Sequence, residues 1–446
     1  MTSSTINYVF ECFIKPQHNL PTHSDQPIHL TPSELLILNV GYTQNGLLFS
    51  KPENQDFSMA LLLNDLKHTL SATLTHFYPL AARLATQKQE NPPSYVICID
   101  PKNSPGAKFI YATSEAIVND ILTPSYVPSL VHSLFDLNDA INHDGHTLPL
   151  LSIQVTELID GVFIGMSLNH VVTDGATFWH FMATWSELFK SKKGDVKLIS
   201  RPPIYERCNP IINLPFTHHE QFTERLRPTN SIKERFFHFT SDSVSRLKAK
   251  ANAECNTTKI SSLQAVSALL WRCITRARRL PHDSKTVCGL AINNRHRVDP
   301  PLSNNYFGNP IQIVRHTTTV NDLMTHGLGW AALGLHDVVK NHNHTTIKDW
   351  VESWVKNPMI LKRNLFVNPG AVQVSNSPRF DMYGCEFGLG KAVCVRSGST
   401  NKMDGKVIMY PGREGGGSMD VEVCLLPEYM AEFECDEELT SALKIT

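Results

Sequence analysis

A predicted β-hairpin that runs directly into a histidine and then a helix constrains the fold of this chain most. Residues 150–158 and 162–168 alternate between apolar and polar side chains around a short turn, the pattern of two paired strands. After Gly175, large apolar side chains recur at helical spacing, which predicts a helix with one buried face. The connection between hairpin and helix carries His170 and Asp174, and side chains at such a junction can face a cleft.

The length of the chain and one irregular segment predict two domains. A chain of 446 residues exceeds what a single hydrophobic core usually supports. Residues 191–234 contain several prolines and no clear periodicity, and so long a loop would be unusual inside one domain. We therefore predict an α/β fold with an N-terminal domain at 1–190, a crossover loop at 191–234 and a C-terminal domain at 235–446. The C-terminal domain contains predicted helices at 241–253 and 261–279.

Composition and charge argue against several classes of function. The formal net charge of -1 does not imply a basic surface for nucleic acid. No apolar run approaches the ~20 residues that span a bilayer, and no secretory signal is visible, so we expect no membrane contact. The 10 cysteines lack CxxC spacing and suggest reduced thiols in the cytoplasm. His342 and His344 have no acid or cysteine in metal spacing, so we predict no metal site.

Five further segments accompany the His170 segment in a fixed order along the chain. They are 77–84 (FYPLAARL), 293–302 (NNRHRVDPPL), 306–309 (YFGN), 386–391 (EFGLGK) and 401–405 (NKMDG). Together with His170-x-x-x-Asp174-Gly175, this set resembles the plant BAHD acyltransferases from end to end. A single HxxxD pattern occurs often by chance, whereas six ordered blocks do not.

The resemblance implies a fold and a reaction. It implies two similar domains of mixed sheets flanked by helices, like chloramphenicol acetyltransferase, with an active-site channel between them. Acyl-CoA would enter one mouth, and a small-molecule alcohol or amine acceptor would enter the other. The protein would act as a monomer through a ternary complex, with acyl-CoA as co-substrate and no permanently bound cofactor.

His170 is the predicted catalytic base. A hydroxyl or amine attacks a thioester readily only when a base takes its proton, and an imidazole within hydrogen-bond reach contributes ~10²–10⁴-fold. The tetrahedral oxyanion then needs a donor, and the proton returns to the leaving CoA sulfur. Residues 165–169 (GMSLN) lack the second glycine of a nucleophile elbow, which disfavours a serine hydrolase.

Asp174 is predicted to be structural, although a carboxylate near a histidine suggests a catalytic dyad. The resemblance implies that this aspartate turns away from the cleft and pairs with an arginine of the second domain. The matching position is Arg295, with Arg297 as second choice. Such a buried pair would fix the loop of His170, and Gly175 belongs to the same motif.

The 386–390 block departs from the family pattern Asp-Phe-Gly-Trp-Gly. Glu386 keeps the charge on a longer arm, and Leu389 removes an indole N–H that the resemblance suggests as an oxyanion donor. Either a backbone N–H or a hydroxyl replaces it, or the chemistry differs. Phe387, Gly388 and Gly390 still match the pattern and fit a structural role.

The CoA-contacting region is predicted at the start of the 261–279 helix. Helix starts and basic groups suit the phosphates of CoA. The resemblance points to Lys259 and Ser261, with Asn293 on a neighbouring strand and 396–398 as a weaker candidate.

We therefore predict an acyl-CoA-dependent O- or N-acyltransferase of plant specialised metabolism. Lyase or cyclase chemistry on a CoA-free substrate is an alternative, motivated by Leu389, and a catalytically silent binding protein is a third. The sequence does not identify the acyl donor or the acceptor.

Overall fold

A computed structural model describes residues 5–17, 24–52, 57–191, 199–207, 210–216, 218–221, 223, 231–362 and 368–443. Its strands are β1 Asn7–Ile14, β2 Ile28–His29, β3 Thr43–Ser50, β4 Arg83–Glu90, β5 Pro93–Asp100, β6 Ala107–Thr113, β7 Leu151–Glu157, β8 Gly161–Leu168, β9 Lys233–Phe239, β10 Lys285–Asn293, β11 Ile311–Thr319, β12 Ala371–Ser375, β13 Cys394–Ser397, β14 Lys406–Pro411 and β15 Met419–Leu425.

Helices of very different lengths flank these strands. They are α1 Pro32–Leu36, α2 Met59–His76, α3 Val118–Leu122, α4 Ser129–Ser133, α5 Gly175–Ser191, α6 Ser241–Glu254, α7 Ser262–Ala277, α8 Val320–Thr325, α9 Leu328–Asn341, α10 His344–Lys356, α11 Pro427–Glu434 and α12 Glu437–Leu443. The predicted mixture of strands and helices in both halves of the chain is confirmed.

The first half of the chain builds a mixed six-stranded sheet in the order β1-β6-β7-β8-β3-β13. Strands β7 and β8 pair antiparallel as the predicted hairpin, while β6 and β7 are parallel. Helices α2 and α5 pack together over this sheet. Leu66 and Leu70 of α2 meet Phe181 and Trp185 of α5 in one buried cluster, because each helix presents its apolar stripe to the sheet.

The second half builds another mixed six-stranded sheet, in the order β11-β10-β12-β14-β15-β9. Its central pairs, β10 with β12 and β12 with β14, are parallel. Helices α6, α7 and α9 cover it and share a separate core. Helix α7 begins at a capping box, in which the Ser261 hydroxyl accepts from the Gln264 N–H.

One strand of the second half lies in the sheet of the first half. Strand β13 pairs antiparallel with β3, aligning Ser397 with Asn45. Buried side chains before it, including Phe387 and Leu389, belong to the first core as well. The predicted boundary at residue 235 does not include this return of the chain, which joins the two halves a second time.

Between the end of α5 at Ser191 and the start of β9 at Lys233, the described residues contain only isolated bridges and a single 3₁₀ turn, His219–Gln221, so the first two residues of β9 fall within the predicted crossover loop. Ile204 bridges to Tyr306, and Leu214 bridges to Tyr95, so the segment contacts both halves. Within the described ranges, no helix is both long and apolar enough to span a bilayer.

Candidate active site

His170 lies just beyond the end of β8 and is held by asparagines from both halves of the chain. Its backbone N–H donates to Asn142 Oδ1 at 2.6 Å. Its carbonyl oxygen accepts from Asn309 Nδ2 at 2.8 Å. The backbone N–H of Asn309 in turn donates to the fully buried carboxylate of Glu34 at 3.0 Å. The histidine backbone is therefore fixed before any substrate arrives.

The imidazole of His170 is oriented by a backbone carbonyl. Its Nδ1 lies 2.8 Å from the Thr173 oxygen, which can only accept, and 3.3 Å from Asn309 Nδ2, which can only donate; the shorter contact assigns the proton to Nδ1. The neutral ring then has its lone pair on Nε2. Burial lowers the pKa of His170, against the opposing effects of the Thr173 carbonyl and Asp174, and nearby Lys406 lowers it further. The ring is therefore a neutral base at physiological pH.

Asp174 pairs with Arg295 and makes no hydrogen bond to the imidazole. Both side chains are buried, with 0% and 1% exposure. The guanidinium donates to both carboxylate oxygens, and its Nη2 also donates to Thr177 Oγ1 at 3.1 Å. Arg297 instead donates to the carbonyls of Val339 and His342. The structure thus brings Asp174 together with the first of the two predicted arginines.

The same carboxylate caps helix α5. Asp174 Oδ1 accepts from the Thr177 N–H at 2.8 Å, and Gly175 is the first residue of the helix. A Cβ at Gly175 would lie 3.0 Å from the Phe380 ring, so the glycine permits a close approach of the second half. Asp174 therefore ties the helix, the His170 loop and Arg295 together.

A cavity of about 210 Å³ lies in front of His170, between the two sheets. Residues of both sheets line it, among them Asn45, Asn293, Ser397, Lys406, Ile408 and Tyr410. A wider cleft of about 1220 Å³ adjoins this cavity. Both are lined by Ala176, Asn293 and Phe380. A small substrate reaching His170 is thus enclosed by both halves of the chain.

The 386–390 block lies away from this cavity. Phe387 packs against Trp185 with 4.7 Å between ring centroids, and Glu386 pairs with Lys190 at 3.2 Å. Gly388 and Gly390 adopt φ of 72° and 76°, a left-handed conformation that favours glycine. Leu389 is buried among side chains of the first core, and none of the five residues is among those lining the cavity. Leu389 therefore contributes no atom to the wall of the cavity beside His170.

The CoA candidates lie at different places. Asn293 lines both cavities, and its Oδ1 accepts from the Arg295 N–H. Lys259 is exposed and Ser261 caps α7, and neither lines the two cavities. Arg396 stacks on Phe236 at 4.3 Å and donates to the Val395 carbonyl, so it is engaged in packing. Of these candidates, the structure therefore brings Asn293, and Ser397 of the weaker 396–398 segment, into the cavity wall beside His170.

Three residues of the site received no role from the sequence. Asn142 and Asn309 fix the His170 backbone. Asn309 belongs to the 306–309 block, which was the sequence pattern that could have indicated its role. Asn376 lines the cavity with φ of 65°, and its Nδ2 is buried without a hydrogen-bond partner in the described structure. Its position just after a short strand gave no signal of this.

Comparison with known proteins identifies the family. The model described as the Transferase family matches residues 6–440. An uncharacterised acetyltransferase of Arabidopsis thaliana is 36% identical over 444 residues, covering 97% of this chain and 98% of that protein. The BAHD acyltransferase DCR of the same plant is 30% identical, covering 97% and 92%. The chain belongs to the BAHD acyltransferase family.

The solved structures agree with this fold. TRI101 of F. graminearum, crystallised with coenzyme A and T-2 mycotoxin, matches this BAHD acyltransferase with a TM-score of 0.72 at 17% identity. The match covers 93% of this chain and 98% of that one. The predicted fold class is confirmed, and so is the prediction of an acyl-CoA-dependent acyltransferase. Among the described residues, no group of three or more His, Cys, Asp or Glu side chains could hold a metal ion.

Proposed function

We propose that this enzyme transfers an acyl group from acyl-CoA to a hydroxyl or amine of a plant specialised metabolite, with His170 as general base. The observation that carries the proposal is the hydrogen bond from His170 Nδ1 to the Thr173 carbonyl. It leaves Nε2 as the proton acceptor in a cavity lined by both halves of the chain. The acid that could have competed for the imidazole, Asp174, is already paired with Arg295.

The proposed reaction needs no covalent acyl-enzyme. Nε2 of His170 takes the acceptor proton while the acceptor oxygen or nitrogen attacks the thioester carbon. The tetrahedral intermediate collapses with cleavage of the carbon–sulfur bond, and the protonated imidazole returns its proton to the CoA thiolate. Donor and acceptor must therefore be bound together. TRI101, whose structure holds coenzyme A and T-2 mycotoxin together, supports such a ternary complex.

Asn376 is the proposed donor to the oxyanion. Its Nδ2 is buried and unpartnered in the described structure, and an unused donor in a low-dielectric cavity is suited to a charge that develops during the reaction. Its backbone has φ of 65°, a left-handed conformation that asparagine adopts more readily than most residues, and Asn376 lines the cavity in this conformation. This assignment provides a donor without an indole at Leu389 and removes the motive for the lyase or cyclase alternative.

The remaining proposals concern the roles of the other site residues, the oligomeric state, the cellular location and the domain boundaries. Asp174, Arg295 and Gly175 would hold the His170 loop, and Asn293 would contact CoA or the acyl group, with Lys259 and Ser261 farther along the CoA path. We propose that the protein acts as a monomer. The described cysteines are all free, which supports the reducing cytoplasm. We retain domains at 1–190 and 235–446 with the crossover loop 191–234 between them.

A steady-state assay with His170→Ala tests the proposal. Purified protein would be offered acetyl-, malonyl-, benzoyl- and 4-coumaroyl-CoA with a panel of alcohols and amines, with free CoA as product readout. We expect His170→Ala to lower kcat by about 10²–10⁴-fold. His68→Ala, on an exposed face of α2, is the matched control and should leave kcat unchanged. Undiminished transfer by His170→Ala would refute the base, and product from a CoA-free substrate would favour the lyase or cyclase reading.

A further inference from the structure

We propose that the cavity beside His170 takes a substrate that carries a carboxylate, and that Lys406 is the cation that pairs with it. This inference rests on the proposed acyl transfer and deepens it by naming a substrate class. The carboxylate can belong to the acceptor or to the acyl group. In both cases the same ion pair would form in the same cavity.

The strand pattern directs Lys406 into the cavity. Lys406, Ile408 and Tyr410 of β14 all line it. The alternate residues Val407 and Met409 are fully buried in the second core. Successive side chains of a strand point to opposite faces, so the lysine occupies a cavity-facing position in a rigid central strand. Its charge is felt at His170, whose pKa it lowers.

No described acidic side chain forms an ion pair with this ammonium group. Among the described residues, Lys406 has no ion pair within 4.0 Å, whereas Lys402, on the turn before β14, pairs with both Glu234 and Glu422. In the part of the cavity wall that the described residues form, Asp174 is the only acid, and Arg295 neutralises it. The cavity therefore holds one uncompensated cation in its resting state.

A partly buried ammonium group without an anion lowers the stability of the protein, and a bound anionic ligand would offset this loss. Burial lowers the pKa of Lys406 to about 8, so the group remains mostly protonated near neutral pH. A partly buried charge without a partner lowers stability, and a hydrogen bond to a charged group is stronger than one between neutral groups. A substrate carboxylate would gain this interaction, while a neutral ester would leave the cation unpaired. The expected consequence is selection for acids over their esters.

The test compares acids with matched neutral analogues in wild type and Lys406→Met. The acceptor arm uses 4-hydroxybenzoate and its methyl ester with acetyl-CoA. The donor arm uses malonyl-CoA and acetyl-CoA with a neutral alcohol. In one arm, Lys406→Met should raise KM for the acidic partner by about 10- to 100-fold and leave the neutral partner unchanged. Lys406→Arg should restore part of this selectivity, and Lys285→Met, an exposed residue of the same sheet, should have no effect.

The two arms of the test show whether the carboxylate belongs to the acceptor or to the acyl group. They also distinguish the proposed role of Lys406 from the proposed acyl transfer. Selectivity in the acceptor arm assigns the carboxylate to the acceptor, and selectivity in the donor arm assigns it to the acyl group. An equal loss of kcat for acids and esters would make Lys406 a partner of the oxyanion and overturn the inference. Wild type that shows no selectivity for the acidic partner in either arm would overturn it as well.

If neither arm shows turnover, thermal stabilisation by the same probes tests Lys406 independently of the proposed role of His170, which the His170→Ala assay tests. In at least one pair, 4-hydroxybenzoate with its ester or malonyl-CoA with acetyl-CoA, the acidic member should stabilise wild type more, and Lys406→Met should lose the difference. Equal stabilisation by both members of each pair, or none by any of them, would overturn the inference.

Discussion

Replacing Arg295 by methionine should destabilise the protein strongly, because it leaves the Asp174 carboxylate buried without its cation. Asp174 would retain one donor, the Thr177 N–H, at 0% exposure. The carbonyl of Tyr306, which accepts from Arg295 Nη2 at 2.9 Å, would lose that donor too. Removing one partner of a buried pair costs about 3–5 kcal/mol. We expect that loss in the free energy of unfolding.

The measurement is urea unfolding followed by tryptophan fluorescence. Asp174→Asn should also destabilise, and the double variant Asp174→Asn with Arg295→Met should lose at least about 2 kcal/mol less than the sum of the singles, since neither charge remains unpaired. The control is Lys348→Met, in an exposed pair with Glu352, which should change stability by less than about 0.5 kcal/mol.

One pattern of results would refute this reasoning. If Arg295→Met unfolds at the wild-type urea concentration, the pair does not hold the loop. If Asp174→Asn keeps full stability yet shifts the pH dependence of kcat, the aspartate acts on the imidazole directly. Its role would then be that of a dyad partner.

Four further outcomes are expected. Because burial lowers the pKa of His170, the acid limb of kcat/KM should fall below pH 6.5, measured from pH 4.5 to 9. Burial lowers the pKa of His180 to about 4, so the unfolded chain binds a proton at this residue more readily than the folded protein does. The free energy of unfolding should therefore fall by roughly 3 kcal/mol as the pH falls from 6.5 to about 4. His180→Gln should flatten this pH dependence in urea unfolding. Asn376→Ala should lower kcat by about 10²-fold with little change in KM. Without ligand, Lys406→Met should unfold at the wild-type temperature or higher. Lys402→Met should unfold at a lower temperature, because the buried carboxylates of Glu234 and Glu422 lose the lysine that pairs with both.

The local elements of the fold were predictable because their causes are local. The hairpin of β7 and β8 follows from alternation, and α5 and α7 follow from apolar stripes and, for α7, a serine cap. Strand β13 was not predictable, because it has four residues and pairs with a strand about 350 positions earlier. No periodicity in a single sequence encodes such a partner.

The site was predictable only in part, for a related reason. His170 and Asp174 stand in one short motif, but the choice between Arg295 and Arg297 depends on which side chain the turn after β10 directs inward. Lys406 resembles a solvated lysine in sequence, since only the packing of two sheets turns its face of β14 into a cavity wall. The proposed role of Asn376 depends on its left-handed backbone conformation, which the sequence does not indicate.

The placement of β13 also has a consequence for biosynthesis. Strand β3, ending at Ser50, has an uncovered edge until Cys394 has been synthesised. At about 5–20 residues per second, roughly 340 residues take on the order of 20–70 s. Exposed strand edges are templates for pairing with other chains. During that interval the nascent protein would depend on chaperones, and a truncation before residue 394 should aggregate even though its first 190 residues contain most of a sheet.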